Sequence, residues 1–262
     1  MIAVVGGTGT LGSAVVEELL GRGESVRILS RNRPQSLAPG SEHIEFDLSA
    51  EDGGRTSAFG EALNGARTVI DAANNPVRPG PVMLEGSGRL IDACGPAGVE
   101  HFVGVSIVGC EKVGLGYYRA KARQEGLVRE SPIGWSLLRA TQFHELIDGA
   151  FTAAARFRLL PGGSAPLQPV AAATVAAELA LIATGEPLND ATQLVGPERQ
   201  TLGDLAAEWK SATGRRGLRV PVPLIGRTVR AIAAGAFADG SATGAGPGFA
   251  TWLAARYGSS GE

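Results

Sequence analysis

Tyr117 and Lys121 stand four residues apart at the start of an amphipathic stretch, so a helix there carries both on one face. A phenol beside an ammonium can run at a lowered pKa and exchange a proton with a carbonyl or alcohol oxygen. Ser106, eleven residues earlier at the end of an apolar run, is in position to orient that oxygen, and Lys121 can also hold a ribose. With only three tyrosines and three lysines in the chain, such a pair is informative. Tyr118 points elsewhere on the same helix and reads as packing.

A second constellation lies at the N-terminus, where the apolar run Ile2 to Val5 passes straight into Gly6-Gly7-Thr8-Gly9-Thr10-Leu11-Gly12. Strand, glycine turn and helix in that order define a dinucleotide cradle far better than the glycines alone. Gly6 permits the sharp exit, Gly9 keeps side chains away from a pyrophosphate, and Gly12 allows close helix packing. Thr8, Thr10 and Leu11 contribute the turn and the unpaired N–H groups of the helix start, where the dipole favours phosphate.

Such a cradle distinguishes its dinucleotides at the end of the second strand, where a carboxylate selects the NAD ribose and a cation the 2′-phosphate of NADP. Here that strand ends in Ser30-Arg31-Asn32-Arg33, with no carboxylate before Glu42. Arg31 offers a planar fork, Ser30 a hydroxyl and Arg33 a second cation, so NADP(H) is expected in preference to NAD(H). Asp47, after the third strand, sits where an adenine amino group would be read, or simply starts the next loop.

These residues require an α/β frame. Strands are predicted at Ile2–Val5, Val26–Leu29, His43–Phe46, Thr68–Ala72, His101–Ser106 and Trp135–Arg139. Helices are predicted at Leu11–Gly21, Arg55–Leu63, Met83–Cys94 and Tyr117–Glu130, and Gly65, Gly98 and Gly134 fall where helices end. This alternation predicts a Rossmann-type, doubly wound parallel sheet over residues 1–150. Residues 151–262 are expected to form a small substrate-side cap packed on that core. From Gln142 on, the rhythm loosens: helices at Phe143–Ala155, Ala171–Ala183 and Leu202–Thr213, with a short strand at Gln193–Val195. A last amphipathic helix is predicted to carry Leu224, Ile225, Val229 and Ile232, and Gly235 to Gly248 reads as a mobile loop.

Composition limits the function classes. Apolar residues make up 44% and charged ones 19% of 262 residues, enough for a sizeable core. A net charge of −2 gives no electrostatic footprint for nucleic acid or anionic lipid, and no apolar stretch reaches spanning length. Cys94, Cys110 and three scattered histidines form neither a disulfide framework nor a metal site, and both cysteines read as core. The first residues already form a strand, with no basic region before them, so the protein is expected in the cytoplasm. The excess of arginine over lysine, with abundant Ala and Gly, reads as a GC-rich bacterial codon bias.

The glycine turn, Ser106-Ile107-Val108-Gly109, Tyr117-Tyr118-Arg119-Ala120-Lys121 and Leu138-Arg139-Ala140-Thr141-Gln142-Phe143 together resemble the NmrA-like branch of the atypical short-chain dehydrogenase/reductases. The likeness runs from Met1 to about Val195. It implies an NAD(P)-binding Rossmann domain in which Tyr117, Lys121 and Ser106 match the superfamily's tyrosine, lysine and serine. Ala73 with Asn74 or Asn75 resembles the asparagine-containing turn beside the cofactor. The spacing from Ser106 to Tyr117 is tighter than in most members with an active pair, and many NmrA-like proteins bind the cofactor without turning it over.

Two functions therefore compete: an NAD(P)H-dependent reductase of a ketone, enone or quinone-like small molecule, and a non-catalytic NADP(H)-sensing regulator. Nucleotide-sugar chemistry fits less well, because the last third is short and has few acceptors for a sugar diphosphate. The expected partner is a small molecule, with no nucleic acid, membrane or metal, for a monomer or homodimer. His144 and Glu145 either line a substrate pocket or serve the fold, and Trp135, Phe143 and Phe151 either shape that pocket or pack in the core.

Overall fold

The computed structural model describes residues 1–50, 56–221, 234–238, 242 and 244–258. The predicted last amphipathic helix lies outside the described residues, as does Arg55 of the second helix. Two compact units emerge. The first comprises Met1–Ser106, Gly116–Arg139 and Val175–Thr192, and the second Ile107–Leu115, Ala140–Thr174 and Gln193–Glu262.

The first unit follows the predicted alternation closely. Its strands are β1 (Ile2–Val5), β2 (Val26–Ser30), β3 (Ser41–Glu45), β4 (Thr68–Asp71), β5 (His101–Ile107) and β6 (Gly134–Ala140), with β9 (Asp190–Leu194) at the edge. The sheet order is β3-β2-β1-β4-β5-β6-β9, and the pairs from β3 to β5 are parallel. This is the doubly wound Rossmann arrangement, whose strand order reverses between β1 and β4. Both central strands are buried along their whole length; β1 reads as an unbroken apolar run, and β4 carries Val69 and Ile70 between the buried polar Thr68 and Asp71. Helix α1 (Thr10–Gly21) buries Leu11, Val15, Val16 and Leu19 at helical spacing. Leu29, Leu63, Val69, Leu90 and Phe102 share one core cluster.

One helix departs from expectation. Instead of one α-helix from Met83, the chain forms a π-helical turn at Gly80–Gly86 and then α3 (Ser87–Cys94), α2 being Thr56–Leu63. Gly86 is the reason this backbone fits, since a Cβ there would lie 2.3 Å from the Leu48 carbonyl oxygen. Ser87 then reaches across to Asp71 at 2.6 Å, and π-helical turns of this kind recur at functional sites. Helix α4 (Gly116–Arg129) follows β5 and buries the polar Lys121, Gln124 and Glu125.

In the second unit α5 (His144–Ala155), α7 (Leu202–Thr213) and α8 (Phe249–Tyr257) pack Phe151, Trp209, Phe249 and Leu253 into one cluster. A capping box between Thr201 and Asp204 starts α7, and Gly214 at φ +65° ends it. Strands β7 (Leu159–Gly162) and β11 (Leu218–Pro221) pair in parallel, and β8 (Pro166–Leu167) pairs antiparallel with β10 (Gln200–Thr201). Helix α6 (Ala172–Thr184) belongs to the first unit from Val175 onward. The described parts of the Gly235–Gly248 segment are packed: a Cβ at Gly109 would lie 1.8 Å from the Ala236 oxygen, and Val195 bridges Gly244. The small residues there serve close approach.

Candidate nucleotide site at the strand ends

The turn after β1 is built around three glycines with different duties. Gly6 takes φ +74°, and a Cβ on it would come within 2.9 Å of the Ala73 backbone, so β1 and β4 part company here. A Cβ at Gly12 would lie 2.2 Å from the Gly6 oxygen, so this glycine presses the first helical turn onto the loop itself. At Gly9 the same Cβ would meet only that oxygen, at 3.3 Å, among the described residues, so a Cβ-sized space there is open. No side chain caps α1 and no acidic residue occupies its first turn. Ser13 N–H already bonds to the Gly9 oxygen, which leaves the N–H groups of Thr10, Leu11 and Gly12 outside the helical ladder. Thr8, Gly9 and Thr10 are exposed, while the Leu11 side chain is buried. A cradle with clear space and an uncapped helix start suits a pyrophosphate.

At the end of β2, Arg31 and Arg33 are exposed. Arg31 lies in the field of Asp47, whose carboxyl is held below its ordinary value mainly by the Ser49 hydroxyl, with Arg31 adding to the effect. Ser30 is buried, and its hydroxyl donates to the Asn32 oxygen at 2.9 Å and meets His43 Nε2 at 3.0 Å. Asp47 is folded into a local turn with Ser49, at 2.9 Å to the N–H and 2.7 Å to the hydroxyl.

Across the crevice, Asn74 Nδ2 donates to the Tyr117 hydroxyl oxygen at 3.0 Å, so the β4 turn and the start of α4 meet as the motifs imply. Tyr118 stacks edge-on to Tyr117 with centroids 5.0 Å apart, and burial pushes its phenol up to about 12 with Tyr117 adding to the shift. Lys121 is 4% exposed, and its ammonium donates to the Val105 oxygen and to Gln124 Oε1, both at 2.9 Å. Gln124 in turn donates to Asp71 Oδ2 at 3.1 Å and to Ser87 at 2.8 Å. Asp71 Oδ1 accepts from the Ala73 N–H at 3.1 Å, which fixes the turn that abuts Gly6. Burial pushes the Asp71 carboxyl up, against the pull of Ser87 and Lys121. Asp71, Ser87 and Gln124 are absent from the sequence-derived site, because three separate elements supply them and no spacing links them.

Ser106 is 3% exposed and its hydroxyl hydrogen-bonds Glu125. Burial alone would raise the Glu125 carboxyl, but the Arg139 fork at 2.8 and 2.6 Å and Ser106 together hold it below its ordinary value. His144 is fully buried against the Pro247 oxygen, and Glu145 caps α6 through the Ala172 N–H, so both serve the fold. Cys94 and Cys110 are buried, and burial pushes the Cys94 thiol up to about 12.

A glycine turn feeding an uncapped helix at the switch point of a parallel sheet defines a nucleotide-binding Rossmann protein. The family model described as NAD(P)H-binding matches residues 6–179, and the chain belongs to that family. It is similar to the photosystem II assembly factor Ycf39 of Cyanophora paradoxa, at 32% identity over 158 residues, 57% of this chain and 48% of that one. It is also similar to the NAD(P)H azoreductase of Xenophilus azovorans, at 28% identity over 223 residues, 82% of this chain and 74% of that one. The chain thus spans about half the length of the Ycf39 relative. Among solved structures, the NADPH-dependent quinone oxidoreductase QOR2 of Escherichia coli, complexed with NADPH, superposes with a TM-score of 0.81 at 20% identity. That match covers 98% of this chain and all of the other. Triphenylmethane reductase of Citrobacter sp. gives a TM-score of 0.74 at 19% identity, over 92% and 91% of the two chains. At such identities the likeness is one of fold.

Proposed function

We propose that the chain is an NADPH-dependent oxidoreductase that reduces a small ketone, enone or quinone-like molecule. The observation that carries this reading is the Tyr117 hydroxyl bonded to Asn74, at the strand ends beside the glycine turn. The similar quinone oxidoreductase and azoreductase support the reaction class. Residues Gly6 to Gly12 would hold the pyrophosphate, Arg31 and Arg33 the 2′-phosphate, Asp47 the adenine, and Ala73 with Asn74 the nicotinamide side. NADPH, when bound, supplies hydride. Tyr117 gives its proton to the oxygen that becomes an alkoxide, and Asn74 orients the phenol. Lys121 and Asp71 act as positioning groups, one locking α4 to β5 and the other locking the β4 turn.

The test is Tyr117→Phe, which keeps the ring and removes the acid. NADPH affinity should hardly change, while turnover of an active carbonyl or quinone substrate falls by roughly 10²–10⁴-fold. Tyr118→Phe is the control and should leave turnover near the wild-type value. Full activity in Tyr117→Phe would take this residue out of the mechanism.

A second reading, a chain that holds NADP(H) without turning it over, is favoured by one specific observation. Two of the three ammonium N–H bonds of Lys121 are engaged by Val105 and Gln124, and Ser106 is engaged by Glu125. Likeness to an assembly factor supports it further. The two readings part on whether NADPH is oxidised by any member of a carbonyl and quinone panel.

A further inference from the structure

The small parallel sheet of the second unit presents an exposed apolar face. In the β7–β11 register Leu218 lies beside Leu159 and Val220 beside Pro161. Side chains alternate along a strand, so these pairs share one face while Leu160, 1% exposed, turns to the other. Leu218 is 72% exposed, Leu159 43% and Val220 39%. Phe157, two residues before β7, is 79% exposed and joins the patch, because the Leu218 N–H bonds to the Arg158 oxygen. Water alone is a poor partner for so many large apolar side chains in one place.

Cations border that face. Arg156 and Arg158 flank Phe157, and Arg215 and Arg216 lead into β11. Arg219, beside Leu160 in the register, turns to the other face and with Lys210 lines the groove between α7 and β11. Arg156, Arg158 and Arg216 are exposed and form no ion pair among the described residues, while Arg215 lies over the Trp209 ring. Asp204, which lies in the field of Arg219, has its carboxylate engaged first by Thr201. Exposed arginines therefore border the apolar face of a protein whose net charge is −2.

We infer that this face docks the second unit on an anionic lipid bilayer. Apolar side chains that enter the headgroup boundary with arginines beside them are what such a surface binds. A second copy of the chain would bring like charges together. Nucleic acid would use the cations and leave Phe157 and Leu218 without a role. No helix among the described residues is long and apolar enough to cross a membrane, so the association is with the surface. The inference is independent of any chemistry in the first unit.

The experiment is flotation of the whole chain with phosphatidylcholine vesicles, with and without about 30% phosphatidylglycerol, at low and high salt. Binding should require the anionic lipid and weaken with salt. Arg158→Ala should weaken it about fivefold, and Phe157→Ser with Leu218→Ser about tenfold or more. NADPH affinity in the same variants shows that the fold is intact. Equal binding to both vesicles, or to neither, would overturn the proposal. So would binding that survives loss of Phe157 and Leu218, the behaviour expected of an acidic protein or nucleic acid site.

Discussion

At the end of β2 the side chains face a choice between two ligands that differ by one phosphate. Arg31 is exposed there with Asp47 beside it, whereas the Ser30 hydroxyl is tied to Asn32 and His43. A guanidinium can donate to the 2′-phosphate, and it has no comparable partner on a ribose hydroxyl. Arg31→Ala should therefore weaken NADPH by about 1.5–3 kcal/mol, at the lower end because the site is exposed and screened, and leave NADH nearly unchanged. Ser30→Ala should alter neither affinity by more than a small factor. Fluorescence titration with both nucleotides checks this, and equal wild-type affinities would refute the NADPH preference. The buried groups tell a different story. Lys121 is visible in the sequence by its spacing from Tyr117, yet its ammonium points to Val105 and Gln124. Nothing in a linear pattern says which way a lysine on a helix face will turn. The decision comes from Asp71 and Gln124, which desolvation forces to find partners.

The glycine turn is the element where sequence and structure agree most closely, and it also yields the sharpest test of which glycine does what. Gly9→Ala adds a Cβ that meets a single oxygen at 3.3 Å, so the fold should hold while a bound phosphate is crowded. Gly12→Ala adds one 2.2 Å from the Gly6 oxygen, so the helix or the turn must shift. The expected outcome is near-wild-type thermal stability with lost NADPH affinity for Gly9→Ala. For Gly12→Ala the same losses should come with about 1–3 kcal/mol of destabilisation or more. Denaturation midpoints beside binding isotherms check it, and equal stability losses would show that the turn does not divide its labour this way. The strands of the first unit are legible because two-sided burial leaves a short apolar run, as in Ile2–Val5 and, between Thr68 and Asp71, Val69–Ile70. The π-helical turn is not, since it depends on Gly86 meeting the Leu48 oxygen 38 positions away in sequence. Strands β8 and β10 have two residues each, too short for any periodicity to register.

On the scale of the whole molecule, the chain passes between the two units repeatedly, and Val175–Thr192 returns to the first. That return adds β9 to the edge of the sheet and most of α6 to its cover. Val175, Leu179, Ala180 and Ala183 are all buried, and Thr68 donates from β4 to the Ala183 oxygen at 3.1 Å. Burying one valine and one leucine is worth roughly 3–6 kcal/mol. A whole domain has only about 5–15 kcal/mol to lose. A fragment of residues 1–150, the length at which the sequence rhythm suggests a nucleotide-binding core, should therefore lack cooperative unfolding and bind NADPH weakly or not at all. Restoring residues 175–192 through a flexible linker from residue 139 should recover both properties better than residues 1–150 do, although the linked chain is of similar length. Near-ultraviolet circular dichroism and NADPH titration of the two pieces decide the matter. A 1–150 fragment that melts cooperatively and binds NADPH as the full chain does would mean that α6 and β9 are ornaments on a core already complete without them.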